Sequence, residues 1–435
     1  MKKFKILLPF LISIFLIVVM VLSGCPAAPT VVEETTPEEK EEATTTEEET
    51  TPEIGEVSLV LWHQEGEDID TLMEDLFADF VKEYPNIEIT RTHYPNEELR
   101  DQFQTASMAG APPDLVWCPS DFAGPFSTMG LIQPLEEHID FTKYIESANE
   151  AVLLEGKIWG VPLTNGNHLM FLYNKSLVDE PPKDTDELIS MAKELTTDDV
   201  QGFAYNLNEP FFLAPWLGGF GGWPLDGNTP ILDTPEMVAT LKFVQDLKFV
   251  DKIVPDECDY NCADTLFKEG KAAMIINGDW SLGGDTGYIA ILGEDLGVAK
   301  IPMISATGKW PSPMTSGKFL MFSVELEGER LEAAKIFANW YTSKEMQLKQ
   351  FDVLKRLPSL KEAIADPKIC EDPIMAASAD QMSVGKPMPV VPEMRACWDA
   401  IRPQLELIMA NKTTPEEAAA AMQTDAETKI KEMQE

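Results

Sequence analysis

Aromatic, carboxylate and amide side chains recur in this sequence just after segments that read as strands. The residues are Gln64 and Glu67 in LWHQEGED, Asp121 in DLVWCPSDF, Glu209 and Phe211 in YNLNEPFF, Trp280 in MIINGDW, and Trp398 and Arg402 in MRACWDAIR. Loops at the carboxyl ends of neighbouring strands meet at one edge of a sheet. These side chains are therefore candidates for a single binding site.

This combination of side chains suits a carbohydrate. A pyranose ring has an apolar face that lies flat on an aromatic ring, and its hydroxyls bind carboxylates, amides and guanidinium groups. Trp280 is the strongest aromatic candidate, because Ala272 to Ile276 reads as a buried strand and Asn277-Gly278-Asp279 as the turn after it. The turn would deliver the indole to a cleft.

The same carboxylates are compatible with glycoside hydrolysis, which needs two acids on either side of the bond. Glu209 with Asp121 or Asp399 would form such a pair. Other signatures of catalysis are absent from the sequence: it has no Gly-x-Ser-x-Gly motif, no phosphate loop and no metal motif. The four histidines are scattered without ligand spacing, so we expect neither a metal nor a cofactor.

Strands and helices alternate along the chain, which predicts α/β lobes with mostly parallel sheets. Residues 57–435 are too many for one core and indicate two lobes. Proline and glycine cluster near 161–162, 310–317 and 357–358, where the chain is expected to cross between the lobes. Such crossings leave a cleft between the lobes for a ligand. The net charge of −40 argues against nucleic acid as a partner.

The N-terminus predicts export and anchoring. Three lysines precede a nearly unbroken apolar run over residues 6–22, which ends in LSGC at Cys25. This pattern resembles a bacterial lipobox, in which the cysteine is lipidated and becomes the first residue of the mature chain. An uncleaved transmembrane anchor is the alternative, because the run approaches spanning length. In both cases the rest of the chain lies outside the cytoplasm, attached to a membrane.

Residues 26–56 have the composition of a disordered linker. They contain eleven glutamates and one lysine among threonines and prolines, so they should repel one another and extend. Five cysteines follow Cys25, and an odd number leaves at least one without an intramolecular partner. Cys258 and Cys262 flank a three-residue loop, and the sequence leaves open whether they form a disulfide or stay reduced.

A series of short motifs in this order resembles the extracellular solute-binding proteins of ABC sugar importers, most closely the maltose/maltodextrin-binding type. The motifs are PPDLVW, GLIQPL, GKIWGVP, LYNKSL, NLNEPFF, FKEGKAAMIINGDW, GKPMPVVPEM and CWDAIR. The resemblance implies a two-lobed periplasmic-binding-protein fold of type II, in which each lobe is a mostly parallel sheet flanked by helices and a hinge joins the lobes. Lobe 1 would comprise residues 57–163 and 318–356, and lobe 2 residues 164–317 and 357–435.

The resemblance also implies which residues contact the sugar. The family's stacking aromatics fall on Trp280, Trp398 and Phe211, and the methionine of its Met-Pro turn falls on Met388. Its polar contacts fall on Glu209, Asp121, Arg402, Glu67, Gln64 and Asn165 or Asn167, of which Asn167 is preferred. The family's arginine after Asp121 is Phe122 here, and its tyrosine after Trp398 is Asp399. These departures leave the sugar open among maltodextrin, maltose, trehalose and other α-glucosides.

The expected function is therefore capture of an oligosaccharide by a lipid-anchored monomer, which delivers it to a membrane permease and its ATPase subunits. The alternatives are a secreted hydrolase that uses Glu209 with Asp121 or Asp399, and a surface adhesin. A receptor gains thermal stability from its sugar by mass action, whereas an adhesin of other specificity does not.

Overall fold

The computed structural model describes residues 54–433, and for residues 67, 68 and 70–72 it describes the backbone only. The predicted signal peptide, the lipidation site Cys25 and nearly all of the predicted linker lie outside these residues. Within them, the strands are β1 (Val57–His63), β2 (Ile87–His93), β3 (Leu115–Pro119), β4 (Leu153–Leu154), β5 (Lys157–Ile158), β6 (Val161–Pro162), β7 (Thr164–Asn165), β8 (Leu169–Asn174), β9 (Gln201–Ala204), β10 (Leu225–Asp226), β11 (Thr229–Pro230), β12 (Ala272–Gly278), β13 (Leu296–Ala299), β14 (Met314–Thr315), β15 (Lys318–Phe322), β16 (Leu357–Pro358) and β17 (Lys386–Pro387).

The helices of the described residues lie on both faces of the sheets. They are α1 (Glu67–Glu83), α2 (Asn96–Met108), α3 (Ala123–Thr128), α4 (Glu146–Glu150), α5 (Thr185–Leu195), α6 (Pro210–Phe220), α7 (Pro235–Phe249), α8 (Tyr260–Lys268), α9 (Tyr288–Leu292), α10 (Gly328–Tyr341), α11 (Lys344–Leu354), α12 (Lys361–Ile364), α13 (Pro367–Cys370), α14 (Pro373–Met382), α15 (Pro392–Met409) and α16 (Pro415–Met433). Short 3₁₀ helices follow β3 at Ser120–Phe122 and β12 at Asp279–Ser281.

The first lobe is built on a five-stranded sheet in the order β2-β1-β3-β15-β6. Strand β1 alternates buried and exposed residues and pairs in parallel with β2 and β3. One face of the sheet packs against α1 and α10, where Phe80 and Phe337 meet in an edge-to-face contact. The opposite face packs Phe319 with Phe103 and Phe126. Burial on both faces explains why β3, and β15 after its first residue Lys318, are apolar runs.

The second lobe is built on a four-stranded sheet in the order β13-β8-β12-β9. Its central strands β8 and β12 are buried at every position. One face carries the largest apolar cluster, in which α6, α7, α15 and α16 pack around Trp216 and Phe171. The other face packs Phe267 and Tyr288. The sheet therefore forms a rigid base for the loops at its edge.

The expectation of mostly parallel sheets is wrong for the second lobe. In that sheet only β9 and β12 are parallel, and β8 runs antiparallel to both β12 and β13. In the first lobe β15 likewise runs antiparallel to β3. Both β8 and β15 follow a segment that has just arrived from the other lobe. Such a strand enters its sheet from the cleft side, so it runs against strands whose carboxyl ends point to the cleft.

Paired crossing segments connect the lobes. Strand β7 pairs with β16, and β14 pairs with β17. The backbones of Gly166 and Ser316 exchange hydrogen bonds of 2.9 and 2.7 Å. Two-stranded links of this kind permit bending while they keep the lobes in register. The exact boundaries between the lobes stay a prediction. In residues 54–433, no helix has both the length and the apolar character needed to cross a membrane.

Candidate functional site

A cavity of about 780 Å³ lies between the two lobes and is lined by residues from both. Nine of the ten predicted ligand contacts are in its lining: Gln64, Asp121, Asn167, Glu209, Phe211, Trp280, Met388, Trp398 and Arg402. The tenth, Glu67, is the first residue of α1, and its side chain lies outside the described part of the structure. Side chains from distant parts of the sequence thus converge on one space of the size of a small ligand.

Trp280 reaches this cavity by a different route from the predicted one. The predicted turn at Asn277-Gly278-Asp279 is wrong: β12 continues through Gly278, and a 3₁₀ helix begins at Asp279. The glycine is required for space, because a Cβ at Gly278 would lie 2.2 Å from the indole ring of Trp280. The amide of Asn277 donates to Tyr288 Oη at 2.6 Å inside the sheet. The chain therefore stays extended, and the indole folds back over its own strand.

Three aromatic rings form the apolar wall of the cavity. The Phe211 ring lies 6.2 Å from that of Trp280 and 6.5 Å from that of Trp398, measured between centroids. Trp280 Nε1 donates to Tyr260 Oη at 3.0 Å, which fixes the plane of the indole. Burial raises the pKa of Tyr260 to about 12, so this phenol stays neutral at physiological pH. The three rings are tilted to one another, by 48° between Phe211 and Trp280 and by 59° between Phe211 and Trp398, so each presents its own face to the cavity.

Tyr260 is itself held by the start of α8. The N-cap Asp259 accepts from the backbone N–H of Cys262 at 2.9 Å, and Cys258 and Cys262 form a disulfide. Of the two states left open by the sequence, the structure thus has the disulfide. Cys258 is buried, and its carbonyl accepts from the backbone N–H of Leu207, which leads into the Glu209 loop. The disulfide loop therefore supports two parts of the cavity wall.

A bidentate ion pair between Glu209 and Arg402 forms the polar edge beside the aromatic wall. Arg402 Nη1 donates to one Glu209 oxygen at 2.9 Å, and Nη2 donates to the other at 3.0 Å. Glu209 is the residue before α6, and Arg402 lies one turn after Trp398 on α15. The planar fork orients both groups, while their remaining lone pairs and N–H groups face the cavity for hydroxyl contacts.

The two aspartates considered for catalysis have different positions. Asp121 lies in the 3₁₀ helix after β3 and lines the cavity, and burial together with the nearby Glu97 raises its pKa to about 6. Asp399 is not among the lining residues. It pairs with Arg395 on the same helix, and burial raises its pKa.

Asn167 and Met388 line the cavity where the crossing segments meet it. Asn167 has a positive φ of 46°, and its backbone N–H donates to Asp279 Oδ2 at 2.9 Å. Gly166 is needed beside it, because a Cβ there would lie 2.4 Å from the same oxygen. Met388 donates its N–H to the Thr315 carbonyl at 2.9 Å. Asp279 is thus a structural acceptor at the crossing.

The sequence did not point to the charged floor of the cavity. Arg356 donates to both oxygens of Glu65, at 2.8 and 2.7 Å, and Trp117 Nε1 donates to Glu65 at 3.1 Å. Burial alone would raise the pKa of Glu65, but the Arg356 guanidinium lowers it to about 2. Lys318 also lines the floor and is buried. Glu65 and Arg356 are 291 positions apart, so no local motif could have paired them.

Throughout the described residues, no group of three or more histidine, cysteine, aspartate or glutamate side chains is arranged to hold a metal ion. The lining offers aromatic faces, amides and ion pairs. Two lobes that enclose such a cavity at a flexible crossing define a ligand-binding protein of the two-lobed class.

Comparison with known proteins agrees with this class. The family described as bacterial extracellular solute-binding protein matches residues 75–377. The chain is 30% identical over 370 residues to the maltotriose-binding protein of Pyrococcus abyssi, an alignment that covers 82% of this chain and 78% of that protein. It is 25% identical over 354 residues to a maltooligosaccharide ABC transporter solute-binding lipoprotein of Streptococcus pneumoniae, covering 76% and 79% of the two chains.

A solved structure extends the likeness to the fold. The maltose/maltodextrin-binding domain of Bdellovibrio bacteriovorus, bound to maltotriose, superposes with a TM-score of 0.82 at 40% identity. The match covers 86% of this chain and all of that one. The chain therefore belongs to the bacterial extracellular solute-binding protein family. The family places it outside the cytoplasm, and its relatives are binding proteins rather than enzymes.

Proposed function

We propose that this protein captures an α-linked glucose oligosaccharide, such as a maltodextrin, maltose or a trehalose-like sugar, and delivers it to the permease of an ABC importer. One observation carries the proposal: the aromatic wall of Trp280, Phe211 and Trp398 lines the cavity between the lobes beside the bidentate Glu209–Arg402 pair. Apolar rings match the CH faces of a glucose chain, and the ion pair matches its hydroxyl edge.

The relatives support the choice of sugar. One is named for maltotriose, one for maltooligosaccharides, and one was solved with maltotriose bound. This chain keeps the aromatic wall but has Phe122 where the maltodextrin-binding pattern has an arginine, and Asp399 where it has a tyrosine. Phe122 is buried and packs against Phe126, so it offers no hydroxyl contact. Stacking accordingly contributes more to affinity here, and the hydroxyl contacts are fewer.

Binding works by closure of the lobes. A sugar that touches Trp280 on one lobe and Asp121 on the other favours the arrangement in which both contacts exist. The closed form then docks on the permease, and the ATPase subunits of the importer supply the energy. The protein acts as a monomer tethered by lipid at Cys25, and the acidic segment 26–56 spaces it from the membrane.

The hydrolase alternative has less support from the site. Asp399 is bound to Arg395 outside the cavity lining, and both oxygens of Glu209 are engaged by Arg402. A general acid or nucleophile must instead be within reach of the glycosidic bond. Incubation with maltotriose and an assay for new reducing ends tests this alternative, and we expect no release of glucose.

The experiment that tests the proposal is a calorimetric titration of wild type and Trp280→Ala with maltotriose, maltose and trehalose. We expect the substitution to weaken binding by at least about 30-fold, because it removes a partly buried indole that lines the cavity. Trp310→Ala is the matched control, since Trp310 is 38% exposed, lies outside the cavity lining and stacks on Lys300. Equal affinities for wild type and Trp280→Ala would contradict the assignment of the aromatic wall.

A further inference from the structure

Four cationic side chains in the described residues line the cavity, and three of them are neutralised by a carboxylate. The pairs are Lys268 with Asp264 at 2.8 Å, Arg356 with Glu65 at 2.7 Å, and Arg402 with Glu209 at 2.9 Å. The fourth cation, Lys318, is only 8% exposed. In the described part of the chain, no hydrogen bond or ion pair engages its Nζ.

The backbone of Lys318 is fixed where the chain enters the first lobe. It is the first residue of β15 and lies opposite Pro119 of β3. Its N–H donates to Thr164 Oγ1 at 3.0 Å, and its carbonyl accepts from Leu163 at 2.8 Å. Lys318 shares a strand face with Leu320 and Phe322, which are core residues. An ammonium therefore occupies a position that this strand otherwise gives to apolar side chains.

The charged groups near Lys318 are bonded to other residues. Burial lowers the pKa of Lys318, Glu65 and Asp279 oppose that shift, and Arg356 adds to it by repulsion. Both oxygens of Glu65 accept from Arg356, and Asp279 Oδ2 accepts from the backbone N–H of Asn167. In the described residues the Lys318 ammonium therefore lines the cavity without a protein partner, and an oxygen of a ligand in the cavity can accept its hydrogen bonds.

The opposite charge lies close by on the same lobe. Asp121 is two residues past Pro119, the strand partner of Lys318, and none of its neighbours in the described residues forms an ion pair with it. Asp121 accepts hydrogen bonds, whereas the Lys318 ammonium donates them. A sugar hydroxyl does both, and two adjacent hydroxyls satisfy one group each. The positive charge of Lys318 and the negative charge of Asp121 cancel, which favours a ligand without net charge.

We propose that Lys318 is a ligand-binding, specificity-determining residue at the floor of the cavity, where its ammonium donates to a hydroxyl or ring oxygen of a neutral sugar. This inference rests on the proposed function. The Lys318 ammonium needs an oxygen acceptor on the ligand, which either a neutral hydroxyl or a carboxylate could supply. The carboxylate of Asp121 on the same lobe favours the neutral source, because it would repel a ligand carboxylate.

The test is Lys318→Met, titrated with maltotriose in a calorimeter. Loss of one hydrogen bond to a charged group weakens binding about 10- to 100-fold. We expect the melting temperature of the sugar-free variant to stay the same or rise, because the Lys318 ammonium makes no hydrogen bond or ion pair in the described residues that the substitution would break. A purely structural lysine would give the reverse, a lower melting temperature with intact affinity, which would overturn the proposal. Lys412→Met, at an exposed position of the second lobe, is the control for loss of one charge.

Specificity provides the second readout. In a panel of monodeoxy maltotrioses, each lacking one hydroxyl, removal of one particular hydroxyl should weaken binding to the wild type but leave binding to Lys318→Met unchanged. An equal loss for every panel member would contradict a direct contact. Maltotriose oxidised at its reducing end to the carboxylate distinguishes the two acceptor sources: we expect weaker binding than for maltotriose. Tighter binding would overturn the assignment to a neutral ligand.

The outcome for Trp280→Ala separates this inference from the proposed function. If Trp280→Ala loses binding while Lys318→Met binds as the wild type does, the proposed function stands and the role of Lys318 is wrong. If the wild type binds none of the panel sugars, the proposed function is overturned and the role of Lys318 with it.

Discussion

Gly124 lies where the first lobe contacts the segment that leads into α15 of the second lobe. It lies in α3, whose neighbours Ala123 and Phe126 belong to the core of the first lobe. A Cβ at Gly124 would lie 1.9 Å from the carbonyl oxygen of Val390 and 2.9 Å from the backbone nitrogen of Pro392. This second segment leads into α15, which packs in the core of the second lobe. Both obstacles are backbone atoms, which have little freedom to move aside.

We therefore predict that Gly124→Ala hinders closure without harming either lobe. Real Cβ atoms essentially never approach another atom closer than 3.0 Å, so the two segments must separate by about 1 Å or more. Overpacking of this kind costs about 1–3 kcal/mol. If only the closed form is destabilised by this amount, the dissociation constant for maltotriose rises about 5- to 150-fold. The melting temperature without sugar stays unchanged, because the open lobes hold these segments apart.

Calorimetry gives the dissociation constants, and small-angle scattering with and without sugar reports closure as a decrease in the radius of gyration. Gly55→Ala is the matched control, since its Cβ would meet only the Glu329 carboxylate at an ordinary 3.6 Å. Unchanged affinity in Gly124→Ala would refute the idea that these segments meet in the bound form. A lower melting temperature without sugar would show that they are also in contact in the open form.

Three further predictions concern charge, linkage and redox state. Burial and the nearby Glu97 raise the pKa of Asp121 to about 6, so the sugar affinity should increase as the pH rises through 6 and the ionised carboxylate accepts from sugar hydroxyls. The stability of the sugar-free protein should instead decrease from pH 4 to 6, because the folded state holds this proton more tightly than the unfolded state does. Asp121→Asn should remove both effects in pH-dependent titrations and melts. Arg395→Met removes the 2.8 Å pair with Glu97 across the lobes and should weaken binding about two- to fivefold, a difference that 1 M salt abolishes. Cys262→Ser opens the disulfide loop that holds Tyr260 and should weaken sugar binding about fivefold, which corresponds to the loss of one neutral hydrogen bond. Equal affinities of the variant and the wild type would show that the disulfide does not support the binding site.

Local patterns predicted the strands β1, β2, β3 and β12 and the residues gathered at the cavity. The burial alternation of β1 and the apolar runs of β3 and β12 are visible in the sequence, because successive side chains of a strand point to opposite faces of the sheet. Strand direction was harder to predict, since it depends on which lobe the chain has just left. That information is not in the strand itself, so mostly parallel sheets were expected although β8 and β15 run antiparallel to their neighbours.

Other features depend on contacts between distant parts of the chain. Asn277-Gly278 reads as a turn, but the glycine makes room for the Trp280 ring, which a pattern of neighbours along the chain does not reveal. Glu65 and Arg356 pair across 291 positions, so the charged floor became visible only with the fold. The aromatic residues of the site were easier to find, because each directly follows a strand or lies at regular helical spacing near a cleft.

Titration of the purified protein with maltotriose is the most direct test of whether the cleft between the lobes binds an oligosaccharide. We predict saturable binding of one sugar per chain, a higher melting temperature in its presence and loss of both in Trp280→Ala. A folded protein that shows neither heat of binding nor a thermal shift with maltotriose, maltose or trehalose would contradict it.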